Sequence, residues 1–477
     1  MSFDKPADLI DRERAWATLT QQYERTGPSL VLMLGRRRVG KSWLLTRFAQ
    51  ATRGLYYQAT RMTEREQLRS LSLALAAHFD DAALRHTAFS RWDDLLAYVA
   101  ERTQVQPFVL ILDEFPYLAD SAPALPSVLQ KWWDHDLPAT SVKLILSGSH
   151  ITAMRRLEGG DQPLYGRRTA RIDLLPFDYA DAAQVVPKWS AKDRLHLYGM
   201  VGGLPGHLAL VDPVQSLAEN IGALMLEGSG RLYDEAIHAF DAFLPDASVH
   251  YSIIDAIANG EQTWSRIASR VGKQTSALSR PLEWLLEMGV VRRVAPLTAY
   301  PKPSPKRVLY QIADPYLAFW HRFIADIRGR GLPALVAPEQ LWETMIAPRL
   351  DDYMGGVFEA ACRQFVARST SSLLPFRPVQ VGAWWSRDGS AEVDVVALGS
   401  AGELLVGECK WGMVDERDLM RLQQRGQQVA REAGVDVSLV QHVLFTAGIP
   451  SEGLSERATA GAATLVSAKH LYQGHTT

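Results

Sequence analysis

Over about the first 180 residues, short apolar runs alternate with stretches whose apolar residues recur every three or four positions. Ser29–Leu34, Gly54–Gln58, Phe108–Leu112 and Lys143–Leu146 read as buried strands, and Ser42–Ala51, Glu64–His78 and Ala124–His135 read as helices between them. Strands that alternate with helices predict a parallel sheet joined by crossover helices. Residues 185–247 hold several helical patterns, broken by Gly202-Gly203-Leu204-Pro205-Gly206. From 248 to 312 the pattern becomes three short helices and a hairpin: Val249–Asn259, Thr263–Val271, Gln274–Glu287, then Val290–Val294 returning at Arg307–Ile312. The proline-rich stretch Pro296–Lys306 belongs to the hairpin's loop. Residues 313–350 look helical and connective, with Gly329–Pro333 as a hinge. The last segment, 351–477, predicts a helix (Tyr353–Val366), a β-hairpin, a second helix (Asp418–Glu432) and one more strand, Ser438–Thr446. Five domains are therefore expected: 1–184, 185–247, 248–312, 313–350 and 351–477.

A chain of 477 residues exceeds one ordinary core, in keeping with that division. With 47% apolar and 22% charged residues it has the composition of a globular protein. The net charge of −2 confines any nucleic-acid surface to a local patch. Cys362 and Cys409 stand far apart without a metal-ligand pattern, which argues against a disulfide framework or a zinc site. The charged N-terminus lacks the apolar core of a signal peptide, and no apolar run approaches a membrane span. A cytoplasmic protein without membrane partners is expected.

The string Gly35-Arg36-Arg37-Arg38-Val39-Gly40-Lys41-Ser42 lies between an apolar strand and a helix, the setting of a working phosphate loop. Glycines let backbone N–H groups curl around phosphate oxygens, and the helix N-terminus favours negative charge. Lys41 would reach the β- and γ-phosphates and Ser42 would ligate Mg2+, with Trp43 next on the first helical turn. The strand Phe108–Leu112 ends in Asp113-Glu114, placing carboxylates at the edge where open α/β sheets bind ligands. Asp113 would hold the Mg2+ shell and Glu114 would orient the attacking water. A third strand ends in Ser147-Gly148-Ser149-His150, where Ser147 or Ser149 is a candidate γ-phosphate sensor. Arg167 and Arg168 offer arginines for transition-state charge.

The order of these motifs resembles the archaeal-type ATPases of the AAA/STAND branch. Arg12-Glu13 matches that family's Arg-Glu box, and the Gly-Arg-Arg-Arg-x-Gly-Lys-Ser loop follows. Asp113-Glu114, Ser147-Gly148-Ser149, Gly166-Arg167-Arg168 and Gly202-Gly203-Leu204-Pro205 then come in family order. The resemblance implies ATP as the nucleotide, Arg12 and Glu13 at the adenine pocket, and a helical lid over 185–247. Residues 248–312 resemble a winged helix-turn-helix. Nine Lys/Arg (266, 270, 273, 280, 292, 293, 302, 306, 307) face only Glu283 and Glu287 between 264 and 310, a local excess that suits DNA phosphates. Gln274–Leu286 is the candidate groove-reading helix.

In the last domain, Glu392-Val393-Asp394 and Glu408-Cys409-Lys410 lie on two apolar strands joined by the five residues Gly399–Glu403. If Asp394 pairs opposite Glu408, Glu392 faces Lys410 on the same side, and the carboxylates converge on one face. Such carboxylates bind Mg2+ or Mn2+, while the lysine helps activate a water. Glu359, on the preceding helix, would complete the metal shell. The segment resembles the PD-(D/E)xK restriction-endonuclease-like superfamily and the DUF234-like domains that follow such ATPases. By that resemblance Asp394, Glu408 and Lys410 are catalytic, although Val393 stands for a loosely kept Pro and the second helix lacks the Tyr of a Gln-x3-Tyr signature. The expected fold is thus α/β: a P-loop NTPase parallel sheet with helical lid, then a winged helix-turn-helix, then an α/β restriction-endonuclease-like domain. Function divides two ways. One is an ATP-hydrolysing, DNA-directed enzyme whose cycle controls a metal-dependent nuclease acting on double-stranded DNA through residues 264–310 and 351–477. The other is an ATP-dependent signalling or assembly switch, homo-oligomeric in one form, on a degenerate nuclease scaffold.

Overall fold

Ser29–Leu34 (β1), Leu55–Gln58 (β2), Phe108–Asp113 (β3), Val142–Gly148 (β4) and Ala170–Asp173 (β5) form a parallel sheet in the order β2-β3-β4-β1-β5. β1, β3 and β4 are buried at every position, as continuous apolar runs require. Val31, Met33, Val109, Ile111 and Ile145 meet Leu44, Leu45 and Phe48 of helix Lys41–Thr52 in one core. Burying each of these side chains contributes about 1.5–3 kcal/mol. The predicted pattern missed β5, a four-residue edge strand with charged Arg171 and Asp173, and helix Trp92–Arg102. Its expected helix Ala124–His135 begins at Leu125 and is preceded by a separate helix, Phe115–Ser121.

The structure, a computed structural model, describes residues 3–103, 106–240, 244, 246–299, 304–368 and 373–473. It divides into two compact units, Met1–Pro176 with Leu204–Gly206 and Phe177–Gly203 with His207–Thr477. In the second unit, helices Ser248–Ala258, Trp264–Val271 and Thr275–Glu287 precede the antiparallel hairpin of Val291–Val294 (β6) and Leu309–Ile312 (β7). Lys302 of the basic set lies outside the described residues.

The C-terminal domain holds a second sheet, of mixed direction. Gln380–Trp385 (β8), Glu392–Leu398 (β9) and Leu404–Lys410 (β10) form an antiparallel meander. Val440–Thr446 (β11) and Thr464–Ser467 (β12) extend it in parallel, in the order β12-β11-β10-β9-β8. The sequence pattern anticipated β9 to β11 and missed β8 and β12. The 22-residue helix Ala347–Arg368 brings Phe365 against Phe445 of β11. Helix Glu416–Ala433 packs Leu419, Leu422 and Val429 on Val393, Val406 and Leu444. Leu297, from the loop between β6 and β7, is buried in this same core. Arg307 adds an ion pair to Glu432 (2.7 Å) and donates to the Trp385 carbonyl, so the hairpin is tied to the C-terminal sheet. Among the described residues no helix is long and apolar enough to cross a membrane.

Candidate nucleotide site and acidic cluster

β1 delivers the chain to the loop Gly35–Gly40, and helix Lys41–Thr52 carries it away. Gly40 takes φ +93°, a conformation that L side chains rarely adopt, so the loop can turn into the helix. The Gly206 N–H donates to the Arg38 carbonyl (3.0 Å), and a Cβ there would press to 2.7 Å on the Arg38 side chain. Part of the Gly-Gly-x-Pro region therefore buttresses the phosphate loop. Arg12 does so from the other direction, donating to the Val39 carbonyl (2.9 Å), while half-exposed Glu13 pairs with Lys5 (2.9 Å). Val39 is fully buried, Arg36 and Arg38 are half-buried, and Arg37 is exposed. Trp43 is exposed beneath the Arg47 guanidinium, 4.5 Å from its ring centroid.

Lys41 is buried and donates to the carbonyls of Gly35 (2.8 Å) and Arg36 (3.3 Å) and to Ser149 Oγ (2.8 Å). Burial lowers its pKa, against the attraction of Glu114 and Asp113. Ser42 Oγ donates to Asp113 Oδ2 (2.6 Å), which joins the expected metal-holding pair between helix Lys41–Thr52 and the end of β3. The Tyr56 hydroxyl of β2 donates to the same oxygen (2.6 Å). Tyr56 was not anticipated, because in an apolar strand its hydroxyl reads as one end of a core aromatic. Glu114, at φ +53°, turns its carboxylate to Ser149 and accepts from that residue's N–H (3.0 Å) and hydroxyl. Ser149 rather than Ser147 touches the site, since the Ser147 hydroxyl is buried without a partner. The two arginines of the Gly-Arg-Arg motif are engaged elsewhere. Arg167 makes a two-pronged pair with Asp134 (2.9 and 2.8 Å), and Arg168 pairs with Glu158.

The C-terminal acids depart from the expected arrangement. The β9–β10 ladder follows the predicted register from Leu404↔Leu398 to Gly407↔Val395. The β8–β9 pairing then shifts by one residue, from Gly382↔Val396 to Trp384↔Val393. This bulge inserts an extra residue into β9, and a one-residue shift reverses which way the following side chains point. Val393 joins the core under helix Glu416–Ala433, and Asp394 turns toward the long helix, accepting the Cys409 N–H at Oδ2 (2.7 Å). Oxygens of Glu359, Glu392 and Asp394 lie within 4.8 Å of one another. Glu408, expected with them, instead pairs with Lys410 (2.7 Å) and with Arg425 of helix Glu416–Ala433 (3.2 Å). Glu392, expected opposite Lys410, replaces it in the cluster.

Burial, with the Glu359 and Glu408 charges, pushes Asp394 up to about 8, and burial also raises Glu359. Carboxylates that resist ionisation while crowded together suit a divalent cation, which removes both penalties at once. Arg363 touches this group, donating to the Asp394 carbonyl (2.6 Å) and approaching Glu359 (3.6 Å). Cys362 and Cys409 are free, buried thiols beside it. Of the basic residues on the three-helix segment and its hairpin, Arg266, Arg270, Lys273, Arg280, Arg293 and Lys306 are exposed. Arg292 and Arg307 are half-buried against the C-terminal domain instead.

Residues 9–211 match the family described as an ATPase domain predominantly from Archaea. Residues 320–422 match the family described as archaeal and bacterial proteins of unknown function. An uncharacterized protein of Methanocaldococcus jannaschii is 25% identical over 446 residues, covering 90% of this chain and 93% of that protein. A Walker-type ATPase of Pyrococcus abyssi matches with a TM-score of 0.50 at 22% identity, over 66% of this chain and 96% of that one. The likeness is one of fold. The ORC2 protein of Aeropyrum pernix, in ADPNP–ADP complexes, matches at 15% identity and a TM-score of 0.46, over 69% and 97% of the two chains.

Proposed function

We propose that this chain, whose residues 9–211 match the family of ATPase domains predominantly from Archaea, hydrolyses ATP to control a metal-dependent nuclease in its C-terminal domain. For the ATPase half, the carrying observation is the junction of Lys41, Ser42, Asp113, Glu114 and Ser149 at one sheet edge. When bound, Mg2+ withdraws charge from the β- and γ-phosphates. Lys41 and the loop's N–H groups hold the phosphates, and Ser42 and Asp113 hold the ion's shell. Arg12 and Glu13 lie at the start of the adenine side. Glu114 orients the attacking water once it leaves Ser149, from which it accepts two hydrogen bonds. Arg167 and Arg168 act on the phosphates only if their ion pairs with Asp134 and Glu158 open.

For the C-terminal half, the carrying observation is the cluster of Glu359, Glu392 and Asp394. These carboxylates hold Mg2+ or Mn2+, and the neighbouring Glu408–Lys410 pair serves proton transfer and charge stabilisation. The winged-helix reading of residues 248–312 assigns double-stranded DNA to the exposed arginines and lysines around helix Thr275–Glu287. The test is paired assays on the full chain. Lys41→Ala should lower ATP turnover at least about 100-fold, and Asp394→Ala should abolish Mn2+-dependent cutting of DNA while ATP turnover persists. Wild-type protein that cuts no DNA with ATP and either metal would remove the nuclease half and leave the ATPase half standing.

One observation favours the second reading, an ATP-driven signalling or assembly switch. The β9 bulge separates Asp394 from Glu408 and Lys410, each of which already has a charged partner. ATP-dependent self-association without DNA binding supports that switch.

A further inference from the structure

Within the second unit, the acidic cluster opens into a cavity of about 560 Å3. One wall is the long helix, with Glu359 and Arg363, and another is the C-terminal sheet, with Trp385, Glu392 and Asp394. The third wall comes from the β6–β7 hairpin and supplies Arg292. Among the described residues this arginine makes one side-chain hydrogen bond, to Gln311 (3.1 Å), and its buried Nε has no partner. Among the described residues no carboxylate lies within ion-pair distance of it. Burial and the nearby Arg363 charge both work against its cationic form.

The cavity therefore sets two crowded cations against three crowded carboxylates, and direct pairing between the groups is confined to the 3.6 Å contact of Arg363 with Glu359. Like charges gathered on both sides of a cavity are costly unless a ligand carrying both signs relieves them. A phosphate bound to a divalent cation does so, with the metal on the carboxylates and the anionic oxygens on the guanidiniums, whose planar donors suit phosphate. Size narrows the ligand further. A volume of about 560 Å3 is that of a pocket for a small molecule of nucleotide size. It suits one nucleotide rather than two paired strands, and Trp385, among the lining residues, is an aromatic of the kind on which unpaired bases stack.

We infer that the hairpin's Arg292 completes the acidic site as the phosphate-binding residue of a composite subsite, which admits a single nucleotide of an unpaired nucleic-acid strand. The site is then built by two parts of the chain, and the carboxylates alone are insufficient for it. This rests on the proposed metal binding by Glu359, Glu392 and Asp394, and the experiment separates the two.

The probe is 5′-phosphorylated trithymidylate, titrated with Mn2+ into full-length chain carrying Lys41→Ala, so that the phosphate loop does not contribute. Tryptophan fluorescence reads the oligonucleotide, and electron paramagnetic resonance reads Mn2+ binding without it. The expected result is Mn2+-dependent binding, about tenfold or more tighter than that of a 5′-phosphorylated, blunt-ended hairpin duplex beginning with the same three thymidines. Adding Arg292→Gln should weaken it at least about tenfold with Mn2+ binding unchanged, and Arg292→Lys should fall between. Thermal melting confirms that each variant is folded, and Arg292→Lys carries the comparison if Arg292→Gln is not. Unchanged trithymidylate affinity on loss of Arg292, equal binding of duplex, or no trithymidylate binding at all overturns the subsite. Failure of Mn2+ to bind, with trithymidylate still dependent on Arg292, overturns the metal reading and leaves the subsite.

Discussion

Two hydroxyls, from Ser42 and Tyr56, converge on one oxygen of Asp113, so the fold itself orients this carboxylate. Phosphate-loop logic identifies Ser42, but nothing in the spacing identifies Tyr56. Removing its hydroxyl leaves Asp113 in place with one fewer hydrogen bond, which is about 1 kcal/mol of orientation. Tyr56→Phe should therefore raise the Mg2+ concentration needed for half-maximal ATP turnover about fivefold, with kcat at saturating Mg2+ little changed. An unaltered Mg2+ titration would show that Tyr56 only packs. Lys143 of β4 gives a pH signature for the same unit. It donates to the Arg25 and Gly27 carbonyls, and burial lowers its pKa from 10.5 to about 8. Between those values the unfolded chain binds the extra proton, so Lys143 makes stability rise with pH across this window. Urea unfolding from pH 7.5 to 10 should show that rise reduced in Lys143→Met. Parallel curves for the two proteins would refute it.

At the scale of the element, the consequential feature is the bulge in β9. Asp394 and Glu408 sit at opposed sequence positions, and an unbroken ladder would set them side by side. The extra residue instead re-aims Asp394 and Glu392 toward Glu359, leaving Glu408 to Arg425. The local sequence, Val393-Asp394-Val395-Val396, gives no warning. A strand covered on both sides is apolar in either direction, so its alternation does not report a shift. The bulge predicts which acid matters to metal. Glu392→Gln should weaken Mn2+ binding at least about tenfold, and Glu408→Gln should weaken it less, measured by electron paramagnetic resonance on the full chain. The reverse order would restore the unbroken-ladder picture. The hairpin's attachment is an element-scale matter too. Losing the largely buried Arg307 side chain leaves Glu432 without its charge partner, and Arg307→Ala should cost about 1–3 kcal/mol of stability in urea unfolding.

On the scale of the whole molecule, the nucleotide site lies in one compact unit and the acidic cluster in the other. Ligands should accordingly stabilise different transitions. Each ligand at 100 times its dissociation constant adds about 2.7 kcal/mol to the unit that binds it. Calorimetry should thus show ATP with Mg2+ raising one melting transition and Mn2+ alone raising another, with Lys41→Ala cancelling only the first. A single transition that both ligands raise equally would mean that the units unfold as one.

Much of this was legible from residues alone where chemistry and spacing act locally. A phosphate loop works through consecutive backbone N–H groups, so Gly35 to Ser42 declare it within one turn of chain. Asp113-Glu114 ends a strand whose direction the alternation of strands and helices already implies. Wherever function depends on which way a side chain turns, or on what a distant segment brings, sequence was silent. The hydroxyl of Tyr56, the release of Glu392 toward Glu359, and the approach of Arg292 to that cluster all depend on register and docking. Both come from packing over long sequence separations. The loop that binds phosphate is thus written in the sequence, while the composition of the acidic site was decided by one inserted residue and one docked hairpin.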